Sequence, residues 1–341
     1  MKYLLKRLAI FSIIPAIIII LLLIGYALLD PLKVLYKYDT YSIDEINLNR
    51  DYISTETLLN NYTKEGYNSF ILGSSHAMGY NPESWKTYLG DQANVFSYDA
   101  YSETLFGIYK KMMLLDSLQI PINNVLILID TDKHFFLTNK GDGAYLYRKS
   151  PILLGNSFCE RASFQLGHLG GYMHPQFFIP YYIHHFTGIS NSLVQSKQSK
   201  RVMEIKYPEN WLNSPNLEEQ IKNDPDYFHS SWFYERTGNE EIQDVQISED
   251  QKKMFEGIKR ILIKNNTDYK IIINPLYNQL KINDEDTRTL NGIFGESHIY
   301  DFSGKNSLTE PRQNYYDRFH FRPGVGDSIM NIIYKNKRSG I

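Results

Sequence analysis

The chain has 341 residues, enough for one large domain or two ordinary ones with a sizeable core. Hydrophobic residues make up 43% and charged residues 22%, which excludes wholesale disorder and fibrous repeats. A net charge of -2 offers nucleic acid no basic face, and a single Cys excludes an intrachain disulfide.

Leu8 to Leu29 carries no charge and is interrupted only by Ser12, Pro15 and Tyr26. A run of about 20 such residues, rising roughly 1.5 Å each, crosses a hydrocarbon core of about 30 Å. Lys2, Lys6 and Arg7 precede the run and Asp30 follows it. That asymmetry predicts a cytoplasmic N-terminus and an extracytoplasmic body. The run exceeds the roughly 7–15 residues of a cleaved signal peptide and ends without a small-residue cleavage site, so an uncleaved signal-anchor is expected. A mean hydropathy of -0.37 shows how far the polar remainder masks this segment. The expected organisation is a tip and anchor over 1–30, a polar, Tyr-bearing stalk over 31–64, and an extracytoplasmic domain over 65–341.

From Tyr67 short apolar runs alternate with helical stretches. The runs are Ser69–Leu72, Asn94–Tyr98, Val125–Ile129, Lys270–Ile273 and His298–Phe302. Continuous β-branched runs of this length predict strands buried on both faces of a parallel sheet. Glu103–Leu118 has Leu105, Ile108, Met112, Leu115 and Leu118 at helical spacing. Ser248–Lys264 opens with a capping-box pattern, and Gly326–Tyr334 closes the chain as a short helix. Together these predict a doubly wound α/β fold.

Between about 135 and 245 the alternation stops while aromatics crowd, among them Phe136, Tyr145, Phe164, Tyr172, Phe177, Tyr182, Trp211, Trp232 and Phe233. A structureless loop of that length is not expected in a compact domain. The stretch reads as a partly helical insertion over the carboxyl ends of the strands, either a substrate lid or an aromatic-rich structural subdomain. Cys159 within it reads as a small buried hydrophobe.

In an open α/β sheet the site lies beyond the carboxyl ends of the strands. The first strand ends in Gly73-Ser74-Ser75-His76, a turn that exposes a hydroxyl beside free backbone N–H groups. Acyl transfer needs that pairing of nucleophile and oxyanion donor. After the last strand, Asp317 and His320 lie three apart, so the carboxylate can hold one imidazole nitrogen while the other faces a serine. His76 follows Ser75 directly and either lines the pocket or is structural. His168, His174, His184 and His185 lack metal-ligand spacing and read as hydrogen-bonded histidines, so neither metal nor cofactor is expected. Asp284-Glu285-Asp286 reads as a solvated helix start.

Gly-Ser-Ser-His after the first strand, with Asp-x-x-His near the end, resembles the SGNH/GDSL hydrolase superfamily. The resemblance extends to its membrane-anchored branch, which includes the D-alanyl-lipoteichoic acid transfer protein and the alginate O-acetylation proteins. It spans Tyr67 to Ile333 in outline, without the insertion. It implies a flavodoxin-like, SGNH-type parallel sheet with helices on both faces. It further implies Ser75 as nucleophile, Ser74 in the place of the motif's Asp, His320 as base and Asp317 as orienting acid. Where the family's second block offers a Gly, this chain has Ser102, whose backbone N–H still serves an oxyanion hole. The third block should read Gly-x-Asn-Asp, but Leu128-Ile129-Asp130-Thr131-Asp132 lacks Gly and Asn. Removal of one such donor costs about 2.7–4 kcal/mol. Thr131 is the hydroxyl left to replace it, whereas Asp130 and Asp132 would repel an oxyanion. The resemblance implies acyl transfer beside a membrane-bound O-acyltransferase partner, or deacylation, on a cell-envelope glycan or a teichoic-acid-like substrate. A non-catalytic assembly component on the same fold remains the alternative.

Overall fold

The computed structural model describes residues 2–38, 41, 48–131, 134–135, 145–188 and 215–334. Asp132, Phe136 and Trp211 lie outside the described residues. The strands are β1 (Ser69–Leu72), β2 (Val95–Ser97), β3 (Asn124–Ile129), β4 (Glu241–Ile242), β5 (Asp268–Ile273), β6 (Leu280–Lys281) and β7 (Ile299–Asp301). The helices are α1 (Lys2–Leu29), α2 (Arg50–Glu65), α3 (Pro82–Leu89), α4 (Leu105–Ser117), α5 (Phe158–Tyr172), α6 (Pro175–Thr187), α7 (Pro215–Asn223), α8 (Glu249–Lys264), α9 (Asp284–Phe294) and α10 (Pro323–Ile333).

The five expected apolar runs form one all-parallel sheet in the order β2-β1-β3-β5-β7, and β4 pairs with β6 in a separate ribbon. Side chains alternate along a strand, so a run apolar at every position must be covered twice. Phe70, Leu72, Val125, Ile127, Ile129 and Ile271 enter one core with Leu105 and Ile108 of α4 and Phe255 and Ile258 of α8. Ile71, Leu126, Leu128 and Ile272 enter the other with Trp85 of α3 and Val325 and Ile329 of α10. The protein is a mixed α/β fold with helices on both faces of a central parallel sheet.

Helix α8 starts on its capping box, with Ser248 and Gln251 satisfying one another's backbone. The acidic start of α9 differs from its reading as merely solvated. Asp286 is fully buried and accepts Gln246 N and Ile247 N, both at 2.9 Å.

The described residues of the segment 31–64 pack on the rest of the chain and do not form the expected stalk. Asp30 ends α1 at φ 41, and its carboxylate accepts Val34 N at 2.9 Å, Leu35 N at 2.9 Å and Tyr36 N at 3.1 Å. This turns the chain back, and Leu32 and Val34 are buried. Helix α2 then carries two buried charged residues, Arg50 and Asp51. Arg50 donates to Asp99 through Nε at 2.9 Å and Nη2 at 2.5 Å. Lys149 bridges Asp51 Oδ2, at 2.9 Å, to Glu103, which also takes Lys111 Nζ at 2.6 Å. Burial would raise the Glu103 pKa, but the two lysines bring it down to about 2. Removing either side of such a pair strands a buried charge, so α2 is held firmly to the loop between β2 and α4.

The insertion is partly helical, as expected, and has two arms. One, α5 and α6, packs Phe164, Tyr172 and Phe177 with Tyr26, Leu32 and Val34 at the end of α1. The other includes α7, Tyr227 and Phe233, and packs on the second core and on the loop of Tyr315 and Tyr316. Most of its described aromatics therefore pack against neighbouring elements. Cys159 is exposed, contrary to its reading as a buried hydrophobe, because it sits at the solvent-facing start of α5.

Candidate active site

Strand β1 delivers Gly73 at its carboxyl end, where a Cβ would stand 2.8 Å from Leu128 Cβ. Only glycine lets the strand end pass β3 this closely. The chain then enters a short 3-10 turn, Ser75–Gly79, with Ser74 as its N-cap. As the first residue of that turn, Ser75 has an amide that no helical acceptor satisfies. Helix α10 closes on the turn backbone to backbone, for a Cβ on Gly326 would fall 2.0 Å from Gly79 O.

Asp317 and His320 arrive on a hairpin-like loop. Tyr315 and Phe321 form an antiparallel bridge, and Tyr316 N donates to His320 O at 2.9 Å. Asp317 Oδ1 accepts Phe319 N at 2.5 Å and His320 N at 2.8 Å, an Asx turn that fixes the carboxylate. The second arm of the insertion supports the loop from outside. Glu218 of α7 takes Tyr316 Oη at 2.6 Å and Arg322 Nε at 3.0 Å, and Arg318 N donates to Trp232 O at 3.1 Å.

The two loops meet. Ser75 Oγ stands 3.1 Å from His320 Nε2, and His320 Nδ1 lies 3.3 Å from Asp317 Oδ1 and 3.4 Å from Oδ2. With Nδ1–H aimed at the carboxylate, Nε2 is left to accept the serine proton. The Nδ1 separations are long for a hydrogen bond, as catalytic contacts often are before substrate tightens them. Asp317 is buried while the His320 side chain is 22% exposed, so His320 reaches a solvent-accessible face.

A second constellation holds the first. Ser74 Oγ donates to Asp130 Oδ2 at 2.5 Å, and Asn274 Nδ2 donates to Asp130 Oδ1 at 2.8 Å. Tyr80 Oη in turn donates to Asn274 Oδ1 at 2.8 Å. His76 Nδ1 lies 3.1 Å from Asp130 Oδ2 and 2.9 Å from Ser74 Oγ, while its Nε2 contacts Phe319 O. A carbonyl only accepts, so Nε2 carries a proton. Ser74 has given its hydrogen to Asp130, so Nδ1 must also donate. His76 is thus an imidazolium tying the nucleophile turn to the loop of His320. Burial opposes that charge, but Asp130 and the Phe319 carbonyl raise the His76 pKa above its ordinary value. Burial would likewise raise Asp130, yet His76 and the donated hydrogen bonds hold it well below the carboxylate range.

Five of the seven candidate residues are therefore brought together: Ser74, Ser75, His76, Asp317 and His320. Thr131 does not supply the expected donor. It is fully buried, and its hydroxyl donates to Leu280 O at 3.1 Å, because the chain turns toward β6 after β3. Ser102 is exposed in the loop after β2, at φ 48 in the left-handed region that favours glycine. Asp130, set down in sequence as a threat to an oxyanion, is occupied on both oxygens by donors. Asn274 and Tyr80 were not singled out from sequence. A polar residue directly after Ile271-Ile272-Ile273 was the signal for Asn274. No protein-family model matches the chain, and no curated protein matches it.

Proposed function

We propose that this chain is a membrane-anchored, SGNH-like serine enzyme that transfers or hydrolyses acyl esters of an extracytoplasmic cell-envelope polysaccharide. One observation carries the reading: Ser75 Oγ at 3.1 Å from His320 Nε2, with the Asp317 carboxylate behind the ring. Ser75 attacks the acyl carbonyl and gives its proton to His320 Nε2. His320 returns that proton to the departing oxygen, leaving an acyl-Ser75 ester. Water or a sugar hydroxyl then gives its proton to the same nitrogen as it attacks the acyl carbonyl, and His320 returns that proton to Ser75 Oγ as the acyl-Ser75 bond breaks.

Three further features support the reading. The strand order β2-β1-β3-β5-β7 matches the flavodoxin-like 2-1-3-4-5 order when the five sheet strands are counted. Both motif loops follow strand carboxyl ends. Ser102 adopts the left-handed conformation at the position where the resemblance expects a glycine. The alternative, a non-catalytic assembly component, draws support from Thr131, whose commitment to Leu280 O leaves the missing third-block Asn unreplaced.

A fluorophosphonate probe on the full-length protein in detergent separates the two. Labelling that Ser75→Ala abolishes is the expected result, and an unlabelled, folded wild type would favour the assembly role.

A further inference from the structure

From Ala162 to Gly188 the chain holds no Asp, Glu, Lys or Arg, although charged residues make up 22% of the whole. This stretch is most of α5, the turn at His174 and all of α6. It packs on the side of α1, not beyond its end. Tyr172 Oη donates to Leu22 O at 2.9 Å and shares a 2.7 Å hydrogen bond with Tyr182 Oη. Tyr182 lies so close over Gly25 that a Cβ there would meet its hydroxyl at 1.9 Å.

Those contacts set a depth. Gly25 and Leu22 precede Leu29, the end of the apolar span Phe11–Leu29, by about 6 and about 10 Å at 1.5 Å per residue. A bilayer crossed by α1 therefore reaches the level at which α6 packs. Next to Tyr182, whose ring stacks on Phe186 at 5.8 Å, α6 presents Ile179, Ile183 and Phe186, exposed by 48%, 38% and 76% and spaced four and three residues apart. Isoleucines and leucines of α1, among them Ile20, Leu21, Leu23, Ile24 and Leu28, are likewise exposed. Tyrosines against the helix and no Asp, Glu, Lys or Arg from Ala162 to Gly188 suit the boundary between headgroups and acyl chains.

We propose that the α5–α6 hairpin is a second membrane element, with Ile179, Ile183 and Phe186 embedded in the acyl chains of the leaflet on the body's side. The inference rests on the reading that α1 spans the bilayer. A protein partner covering the face is the competing occupant.

Single cysteines on a Cys159→Ser background, labelled with bimane in the full chain reconstituted in phosphatidylcholine vesicles, test this. The quencher is phosphatidylcholine bearing a nitroxide near the headgroup or at the chain end. Ile183→Cys and Phe186→Cys should lose emission to the headgroup-side nitroxide, Leu23→Cys should be quenched within the bilayer, and Lys264→Cys should keep its emission. An unquenched probe at Ile183 and Phe186 with Leu23 quenched overturns the hairpin proposal and leaves the span intact. If Leu23 is unquenched as well, the spanning reading fails and the proposal with it.

Discussion

Asp317→Asn changes one oxygen to an amide nitrogen, and the structure says which one. Oδ1 is held by two backbone donors, Phe319 N at 2.5 Å and His320 N at 2.8 Å. An amide nitrogen cannot accept from them, so the Asn carbonyl must stay there and its NH2 must face His320 Nδ1. A donor at that place makes Nδ1 an acceptor and moves the imidazole proton to Nε2. The ring then meets Ser75 Oγ, 3.1 Å away, with a proton instead of a lone pair. The serine loses its base while the geometry persists. Loss of the correct tautomer in a Ser-His-Asp site costs about 10⁴-fold in rate, or roughly 5.4 kcal/mol at 1.36 kcal/mol per decade. The assay is the second-order rate constant of fluorophosphonate labelling for the full-length protein in detergent, with thermal melts run in parallel. A folded Asp317→Asn protein labelled within roughly tenfold of wild type would refute the assignment, since the triad argument requires about 10⁴.

Ser74→Ala should keep Ser75 labelling, because the Ser74 hydroxyl is committed to Asp130; loss of labelling in Ser74→Ala with retention in Ser75→Ala would make Ser74 the nucleophile. Thr131→Val should lower stability by about 1 kcal/mol through the lost bond to Leu280 O, with the labelling rate unchanged. Arg50→Met leaves Asp99 buried without its partner and should cost about 3–5 kcal/mol, read as a fall in Tm of roughly 10 °C. Arg50→Met with Asp99→Leu should recover most of that loss. Protonated His76 stabilises the fold fully below its unfolded pKa of about 6.5, and that stabilisation is lost as pH rises through its raised folded pKa. The Tm gap between wild type and His76→Gln should therefore narrow as pH rises above about 6.5; a constant gap refutes the imidazolium.

The sheet was legible because Val125–Ile129 and Lys270–Ile273 are apolar at every position except Lys270, a pattern that suits a doubly covered strand and little else. The Ser75, Asp317 and His320 candidates were legible because local spacing sets an Asx turn and a strand-end turn. The 31–64 segment was misread for the opposite reason. Arg50 and Asp51 look like surface charges until their partners Asp99, Lys111 and Lys149 are known, and those lie far away in sequence. Asn274 and Tyr80 were hidden likewise: Asn274 reaches Asp130 across the carboxyl edge of the sheet, and Tyr80 reaches Asn274. Thr131 was misassigned because its residue type suits an oxyanion donor, while its direction is set by Leu280 on another element.

These long-range pairs also determine how the site stands relative to α1. A stalk would let the body tumble at the end of the helix, and any acyl donor in the membrane would meet Ser75 only by chance. Instead, Asp30 folds the chain back, and Leu32 and Val34 pack with the α5–α6 hairpin. Asn49, the N-cap of α2, donates to Tyr145 O and Arg148 O at 2.8 Å, which joins that hairpin's approach to α2. Arg50 and Lys149 then tie α2 to Asp99 and Glu103, and Ala100 N donates to Gly73 O at 3.2 Å beside the nucleophile turn. Every link named in this path is a buried ion pair, a hydrogen bond or an apolar contact. A body held this way has a set placement relative to α1, which, on the reading proposed above, suits an acyl acceptor or donor delivered at the membrane surface better than one arriving from bulk solution.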